Sequence, residues 1–521
     1  MIIKTFTQAV KFLEKFIPPP SKKHPGELGL KRMQYLMDLL GNPQFAYPTI
    51  HVGGTSGKGS TATMIASILA AKYKVGLHTS PHLVKITERI KIYQPLNNFA
   101  EVGKNFSAHL PRSLHSSASG GLKVLKDVGV LEKLASPQNY SLPASPIDKT
   151  NDLSEREFVN LVNKIIPFIK KMEKSEFSKP SYFELISAIA FLYFYQQKVD
   201  IAVVEVGMGG RFDATNVIKP MVAVITNVGL DHTEVLGDTV EKIAQDKVRI
   251  IKPNMKVVSG ARQSSVAQII KLRCREKNAH LSLLNRDFRY KVKDISRFGS
   301  IFDYFGEKIY RNLKLSLLGE FQVENAALAV RTAELLYRHS GDPPAGGDSR
   351  IRFWTSQNDL EKSICQGLEY AFILGRLEIV SRKPLVILDG AHNPDKARAL
   401  VSAIKKIFPE KRITAIVAIK DDKAARAILF EFLKICHKII FTHFQILADV
   451  GVINSYNPEE LLNIASKIDN RKQMIVIDNA KRAIDKAIKS VNASDLILVT
   501  GSLYLIGEAR KRLASRELAS S

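Results

Sequence analysis

Within the chain, Gly54-Thr55-Ser56-Gly57-Lys58-Gly59-Ser60-Thr61 is the run whose residue types most directly specify a chemistry. It follows a short β-rich run and precedes a helical stretch over 62–72, the strand, glycine loop and helix order that cradles phosphate. Glycines let backbone N–H groups approach an anion, Lys58 offers a point charge to β- and γ-phosphates, and a hydroxyl from Ser60 or Thr61 can face Mg²⁺. The dipole of the following helix adds to the attraction. The run departs from the standard phosphate loop, because Val52 stands where the first glycine would be and Gly59 separates Lys58 from the hydroxyl.

Acidic residues and a histidine then fall at the ends of predicted strands. Glu205 follows Ile201 to Val204, Asp231 and His232 follow Val222 to Ile225, and Asp389 follows Leu385 to Leu388. Ligand sites in open α/β sheets gather at those carboxyl ends. Glu205 and His232, with a hydroxyl such as that of Ser80, would form a hard, incomplete Mg²⁺ shell that leaves positions for phosphate oxygens and water. Taken singly, each is a cap, a turn former or a structural histidine; together, behind a phosphate loop, they read as a site.

These residues need a scaffold of parallel strands. Thr49 to Val52 and the three runs above supply a first α/β domain, and Ile413 to Ala418, Lys438 to Thr442, Met474 to Ile477 and Leu496 to Thr500 alternate with helical stretches as a second, smaller one. Between about Asn97 and Thr150 the chain carries Ser116-Ser117-Ala118-Ser119-Gly120-Gly121 and several prolines, and reads as an inserted loop. Gly341-Asp342-Pro343-Pro344-Ala345-Gly346-Gly347 has linker composition. The expected division is therefore 1–340, a linker region 341–370, and 371–521.

The composition is that of a folded chain: 521 residues, 45% hydrophobic and 24% charged, are enough for several self-sufficient cores. No apolar run approaches the roughly 18 residues that span a bilayer, and no signal peptide is evident, so a cytoplasmic protein without a membrane partner is expected. Three scattered cysteines, Cys274, Cys365 and Cys436, suit a reducing compartment. Lys and Arg total 76 against 51 Asp and Glu, a net charge of +25, which favours anionic partners. No zinc-finger, aromatic RNP or basic-zipper motif accompanies that charge, so polyanionic small substrates are preferred over nucleic acid.

An ordered series of segments across nearly the whole chain resembles the folylpolyglutamate synthase and dihydrofolate synthase family of the Mur ligase superfamily. The series runs through Pro25-Gly26-Glu27-Leu28-Gly29-Leu30, His51 to Thr61, Ser80-Pro81-His82-Leu83 with Glu88-Arg89-Ile90, and Glu205 to Asn216. It continues with Leu230-Asp231-His232, Leu236-Gly237-Asp238-Thr239, Gln322 with Asn325-Ala326, Gly375-Arg376, Leu388 to Pro394 and Thr500 to Tyr504. The resemblance implies a large P-loop ATPase domain, a smaller Rossmann-like C-terminal domain and a reaction in the cleft between them. ATP phosphorylates a substrate carboxylate, and the amine of L-glutamate attacks the acyl phosphate to give an amide, ADP and phosphate. It further implies that Gly54 to Thr61, Asn325, Arg376 and Asp389 bind nucleotide, and that Ser80, Glu205 and His232 hold Mg²⁺. Lys58, Lys247 and His392 would be catalytic, with Lys247 a candidate for carbamylation, and Arg89, Asp213, His392 and Ser502 would face substrate. Folate or dihydropteroate and L-glutamate are the expected partners, and a monomer the expected state.

The sequence departs from the family pattern at Ser56 for Asn, at Asp246-Lys247-Val248-Arg249 for Glu-Lys-Ala-Gly, at Phe321 for His, and in the insertion after Ile90. None removes an essential charge. A Mur-type ligase on another carboxylate would need an extra N-terminal domain, and only about fifty residues precede the phosphate loop. A non-catalytic nucleotide-binding protein is disfavoured by the intact Lys58, Glu205, His232 and Asp389.

Overall fold

The computed structural model describes residues 2–19, 26–95, 150–337, 356–449 and 451–520 of the chain. Its first sheet has eight strands in the order β4-β3-β2-β5-β1-β6-β7-β8. They are β1 (Thr49–Gly53), β2 (Val75–His78), β3 (Ile90–Tyr93), β4 (Thr150–Asp152), β5 (Ile201–Glu205), β6 (Val222–Ile225), β7 (Lys256–Ser259) and β8 (His280–Leu283). From β2 to β8 every neighbouring pair is parallel, and β3 and β4 add an antiparallel edge.

β1, β5 and β6 are buried along their whole length, which is why they read as continuous apolar runs. Their register pairs Val52 with Glu205 and Gly53 with Ile225, so the chain leaves all three carboxyl ends at one place. The helix Lys58–Ala70 that leaves β1 is buried at every position from Ser60 onward. It lies in one apolar core with the helix Glu320–Leu336 and a three-stranded antiparallel sheet, β9 (Arg289–Ser296), β10 (Gly299–Phe305) and β11 (Ile309–Leu315). A second core takes in helices Glu27–Leu39, Glu155–Glu173 and Tyr182–Gln196.

The second α/β domain is also present. Its sheet runs β12-β13-β19-β14-β15-β18, with β12 (Glu378–Arg382) antiparallel to β13 (Leu385–Leu388) and the rest parallel. The others are β14 (Ile413–Val417), β15 (Cys436–His443), β18 (Gln473–Asn479) and β19 (Leu496–Thr500), and a hairpin of β16 (Gln445–Ala448) and β17 (Gly451–Asn454) stands apart. Two apolar cores cover its two faces.

The structure differs from the linker reading of 341–370. Its second half is the helix Gln357–Glu369, whose Leu360, Ile364 and Leu368 are buried in the core of the phosphate-loop domain. Gly367 lies so close to the helix Lys58–Ala70 that a Cβ there would stand 2.4 Å from Ile68 Cα. The Gly/Pro-rich stretch itself lies outside the described residues.

Most of the inserted loop expected from Asn97 to Thr150 also lies outside the described residues, but its two ends are informative. Tyr93 and Thr150 face each other across the antiparallel pair β3–β4, so the chain departs and returns at one point. Replacing 97–148 with a short Gly/Ser turn should therefore leave the melting temperature within a few degrees of the parent, because closure cost depends weakly on loop length. A loss of cooperative thermal unfolding in the deletion would show that the segment is part of the core.

Candidate functional site

The phosphate loop is held by hydrogen bonds to its neighbours, with the Thr55 hydroxyl donating to Gly229 O at 3.1 Å. Thr55 N–H donates to Asn227 O at 2.9 Å, Ser56 N–H donates to Asn227 Oδ1 at 2.8 Å, and Thr226 Oγ1 donates to Ser56 O at 2.6 Å. Gly57 begins the helix in the left-handed region, φ 82°, and a Cβ there would stand 2.3 Å from Asn325 Oδ1. Only glycine fits that approach. Asn325 thus stands against the back of the loop, where it also accepts from Thr61 Oγ1 at 3.4 Å. Thr61 is fully buried and its hydroxyl is engaged there, while Lys58 opens the helix in a half-buried position.

Glu205 ends β5 beside this loop, buried, and its Oε2 accepts the Ser80 N–H at 2.9 Å. Burial raises its pKa, opposed by Lys58, the Ser80 N–H, Arg376 and Lys396. His232 sits at φ 52° ahead of the short helix Thr233–Leu236, and burial pushes its imidazole down to about 4. A neutral imidazole, a buried carboxylate and a serine hydroxyl are a donor set that fits Mg²⁺. Among the described residues no group of three or more His, Cys, Asp or Glu converges.

Lys247 lies on the other side of the loop. It is buried, and its Nζ donates to Gly54 O at 3.0 Å. Burial, with Lys58 adding like charge, pushes its pKa down to about 7. An unfolded lysine titrates near 10.4, so between those values the unfolded chain binds more protons and stability rises with pH. Lys247→Met should remove that component. Unfolding free energies of parent and variant from pH 6.5 to 9.5 should converge as pH rises, and a difference that stays constant would show that Lys247 is not neutral in the fold.

The second domain meets the loop with its own charged cluster. Asp389 ends β13 and accepts the N–H groups of Leu377 and Ala391, both at 2.9 Å. Burial raises its pKa against the opposing charge of Arg376. A Cβ on Gly390 would stand 2.8 Å from Arg376 Nη1, so the guanidinium lies directly over the backbone after β13. His392 Nδ1 is 2.8 Å from Gly390 O, and its Nε2 is 2.9 Å from Lys396 Nζ. Ser502, buried ahead of the last helix, accepts the Tyr504 N–H at 3.1 Å. Across the cleft, Lys423 Nζ reaches Asp231 Oδ1 at 3.0 Å.

Residues 156–333 match the Mur ligase middle domain, and residues 374–512 match the C-terminal domain of dihydrofolate synthetase. A dihydrofolate synthase/folylpolyglutamate synthase of Bacillus subtilis is 30% identical over 492 residues, 93% of this chain and 95% of that one. The chain belongs to this family. A folylpolyglutamate synthase of Lacticaseibacillus casei is 32% identical over 421 residues, 80% of each chain. A Mycobacterium tuberculosis folylpolyglutamate synthase complexed with ADP superposes with a TM-score of 0.75 at 26% identity, covering 98% of both chains.

Set beside the site that family membership implies, two candidate substrate residues are engaged elsewhere. Asp213 is buried, its Oδ2 accepting the Met208 N–H at 2.8 Å and its Oδ1 the Thr215 N–H at 3.0 Å as well as the Thr215 hydroxyl. That carboxylate ties the glycine-rich turn after Glu205 to the segment behind it. Arg89 is fully buried and its guanidinium grips Asp449 at 2.7 Å through both Nη atoms, while Nε donates to His82 Nδ1 at 2.8 Å. Sequence reading passed over Asp449 and Lys423, whose partners lie in the other domain, and Lys396, which pairs with His392. Lys396 alone had a local signal, three residues into the helix that Asn393 caps.

Proposed function

We propose that this chain is an ATP-dependent ligase that adds L-glutamate to a carboxylate of folates, and to dihydropteroate, through an acyl phosphate. The observation that carries the reading is that Glu205 beside the phosphate loop feels the charges of Lys58 from its own domain and of Arg376 and Lys396 from the other, so charged groups of both domains bear on one cleft. Acyl phosphate formation concentrates negative charge, and cations fixed beforehand stabilise it without reorganisation. In this reading Gly54 to Thr61 bind the nucleotide phosphates, Asn325 stiffens the loop from behind, and Arg376 and Asp389 hold the nucleotide from residues 371–521. Ser80, Glu205 and His232 would hold Mg²⁺, which supplies Lewis-acid stabilisation of the transferring phosphoryl group when bound. The depressed pKa of Lys247 suits carbamylation, because a carbamate forms from the neutral amine.

Domain apposition keeps water from the acyl phosphate, which would otherwise hydrolyse. The surplus of positive charge suits a growing polyanionic glutamyl tail. We place the enzyme in the cytoplasm as a monomer without nucleic-acid or membrane partners; no described helix is long and apolar enough to cross a membrane.

The test is product mass from purified protein given ATP, Mg²⁺ and L-glutamate with either dihydropteroate or tetrahydrofolate. A glutamate adduct of each is expected. Product from tetrahydrofolate alone would remove the dihydrofolate synthase activity, and product from neither would overturn the reading.

A further inference from the structure

The incoming α-amine of L-glutamate arrives protonated at neutral pH, and an ammonium has no lone pair with which to attack. A ligase of this kind therefore needs a base that is unprotonated at neutral pH and stands among the phosphate-binding groups. Most of the cleft's described titratable side chains are already committed. Asp389 accepts one backbone N–H on each oxygen and has the nucleotide role, Asp231 is paired with Lys423, and Lys247 donates to Gly54 O behind the loop. Glu205 is taken by the Ser80 N–H and the metal role, and His232 by the same role. His392 Nδ1 faces a carbonyl, which can only accept, so Nδ1 carries the ring hydrogen and Nε2 is the acceptor. That acceptor is occupied by Lys396 Nζ at 2.9 Å.

We propose that Lys396 is the catalytic base that takes the proton from the α-ammonium of L-glutamate, with His392 holding its Nζ in place; this rests on the ligase reading above. A neutral amine can donate one N–H to His392 Nε2 and still present a lone pair, which an ammonium cannot. The fold enforces that geometry. Asn393 caps the helix Pro394–Ile407 by accepting the Lys396 N–H at 2.9 Å, which fixes the residue's backbone one turn from His392.

The charges around Lys396 come from both domains. Arg376, Lys423 and His392 surround it from its own domain, and Lys58 and Asp231 face it from the other. It in turn lowers the pKa values of Glu205 and Asp389, so it lies within electrostatic reach of the metal-side and nucleotide-side carboxylates alike. Burial and Arg376 together push its own pKa down to about 7, with Lys58 and Lys423 adding to the effect against Asp231.

The step balances. One N–H bond of the glutamate ammonium breaks, its electron pair stays on nitrogen, and the proton bonds to Nζ of neutral Lys396. The freed amine attacks the acyl carbon, the bond from that carbon to the phosphate oxygen breaks with its electron pair on phosphate, and the departing phosphate takes the second proton from nitrogen. Lys396 then returns its proton to water.

The experiment separates the two half-reactions in the full-length protein. Hydroxylamine is an uncharged nucleophile at pH 7 and needs no base, so hydroxamate formation from folate and ATP reports the acyl phosphate alone. Lys396→Met and Lys396→Arg should both keep hydroxamate formation within about threefold of the parent. Both should lose glutamate ligation by about 10²- to 10⁴-fold, the usual contribution of general acid–base catalysis. In the parent, kcat/KM for glutamate should rise with pH through an inflection near 7, and both variants should lack it. Ligation restored by the arginine variant would mean that only charge matters, and equal loss of hydroxamate and amide in both variants would place Lys396 in phosphorylation; either overturns the proposal. Absence of hydroxamate from the parent would instead refute the ligase reading itself.

Discussion

Replacing Lys58 by alanine should lower ATP turnover by at least about 10²- to 10³-fold, the cost of removing one preorganised group that stabilises developing negative charge. The fold should survive the change. Lys58 is half-buried at the first turn of its helix, and Thr55, Thr226 and Asn227 supply the hydrogen bonds that shape the loop. The substitution also removes a like charge that depresses both Lys247 and Lys396. Thermal stability at pH 7 should therefore hold or rise slightly while turnover collapses. Phosphate release assays and a melting curve on the same preparation check both halves; turnover near that of the parent would remove the phosphate-loop assignment.

That loop was legible in the sequence because its chemistry is consecutive: eight neighbouring residues specify the anion cradle and the strand and helix that frame it. The positions of Glu205 at the end of β5 and Asp389 directly after β13 were legible for a related reason, since both are set by unmistakable buried strands. Arg89 and Asp213 show the limit of motif reading. Both are charged residues in motif segments, but what a charge does depends on whether its hydrogen-bonding capacity is already spent, and here backbone N–H groups and Asp449 spend it. The helix Gln357–Glu369 was hidden by the Gly/Pro cluster before it, although Leu360, Ile364 and Leu368 recur at helical spacing. β9 alternates basic and apolar residues from Arg289 to Val292 and could have been read as a half-buried strand. Lys423 and Asp449 could not have been found this way. Each matters only because a surface of the second domain meets one of the first.

That meeting leads to a stability prediction, for Asp449→Ala. The pair it breaks is asymmetric: the Arg89 side chain is 1% exposed, whereas that of Asp449 is 23% exposed. Removing the acid strands a buried guanidinium, and uncompensated buried charges typically cost about 3–5 kcal/mol. His82 cannot take over, because burial and the charge of Arg89 push its imidazole down to about 3, leaving a neutral ring that accepts only from Nε. The chain's way to relieve the strain is to let the domains part and water reach Arg89, so the loss is bounded by the free energy of domain docking. Urea unfolding of Asp449→Ala should show a loss of about 3 kcal/mol, and Arg89→Met combined with it should recover most of that, since the double variant leaves an apolar side chain in an apolar setting. A single variant within about 0.5 kcal/mol of the parent would show that the pair does not hold the domains together. The consequence for catalysis follows from position. Arg89 belongs to the segment that begins at Ser80, whose N–H binds Glu205, and Lys423 pairs with the residue before His232. These two ion pairs between domains therefore anchor on the segments that carry the Mg²⁺ candidates. Loosening the Asp449 contact should weaken the response of turnover to Mg²⁺ along with the fold.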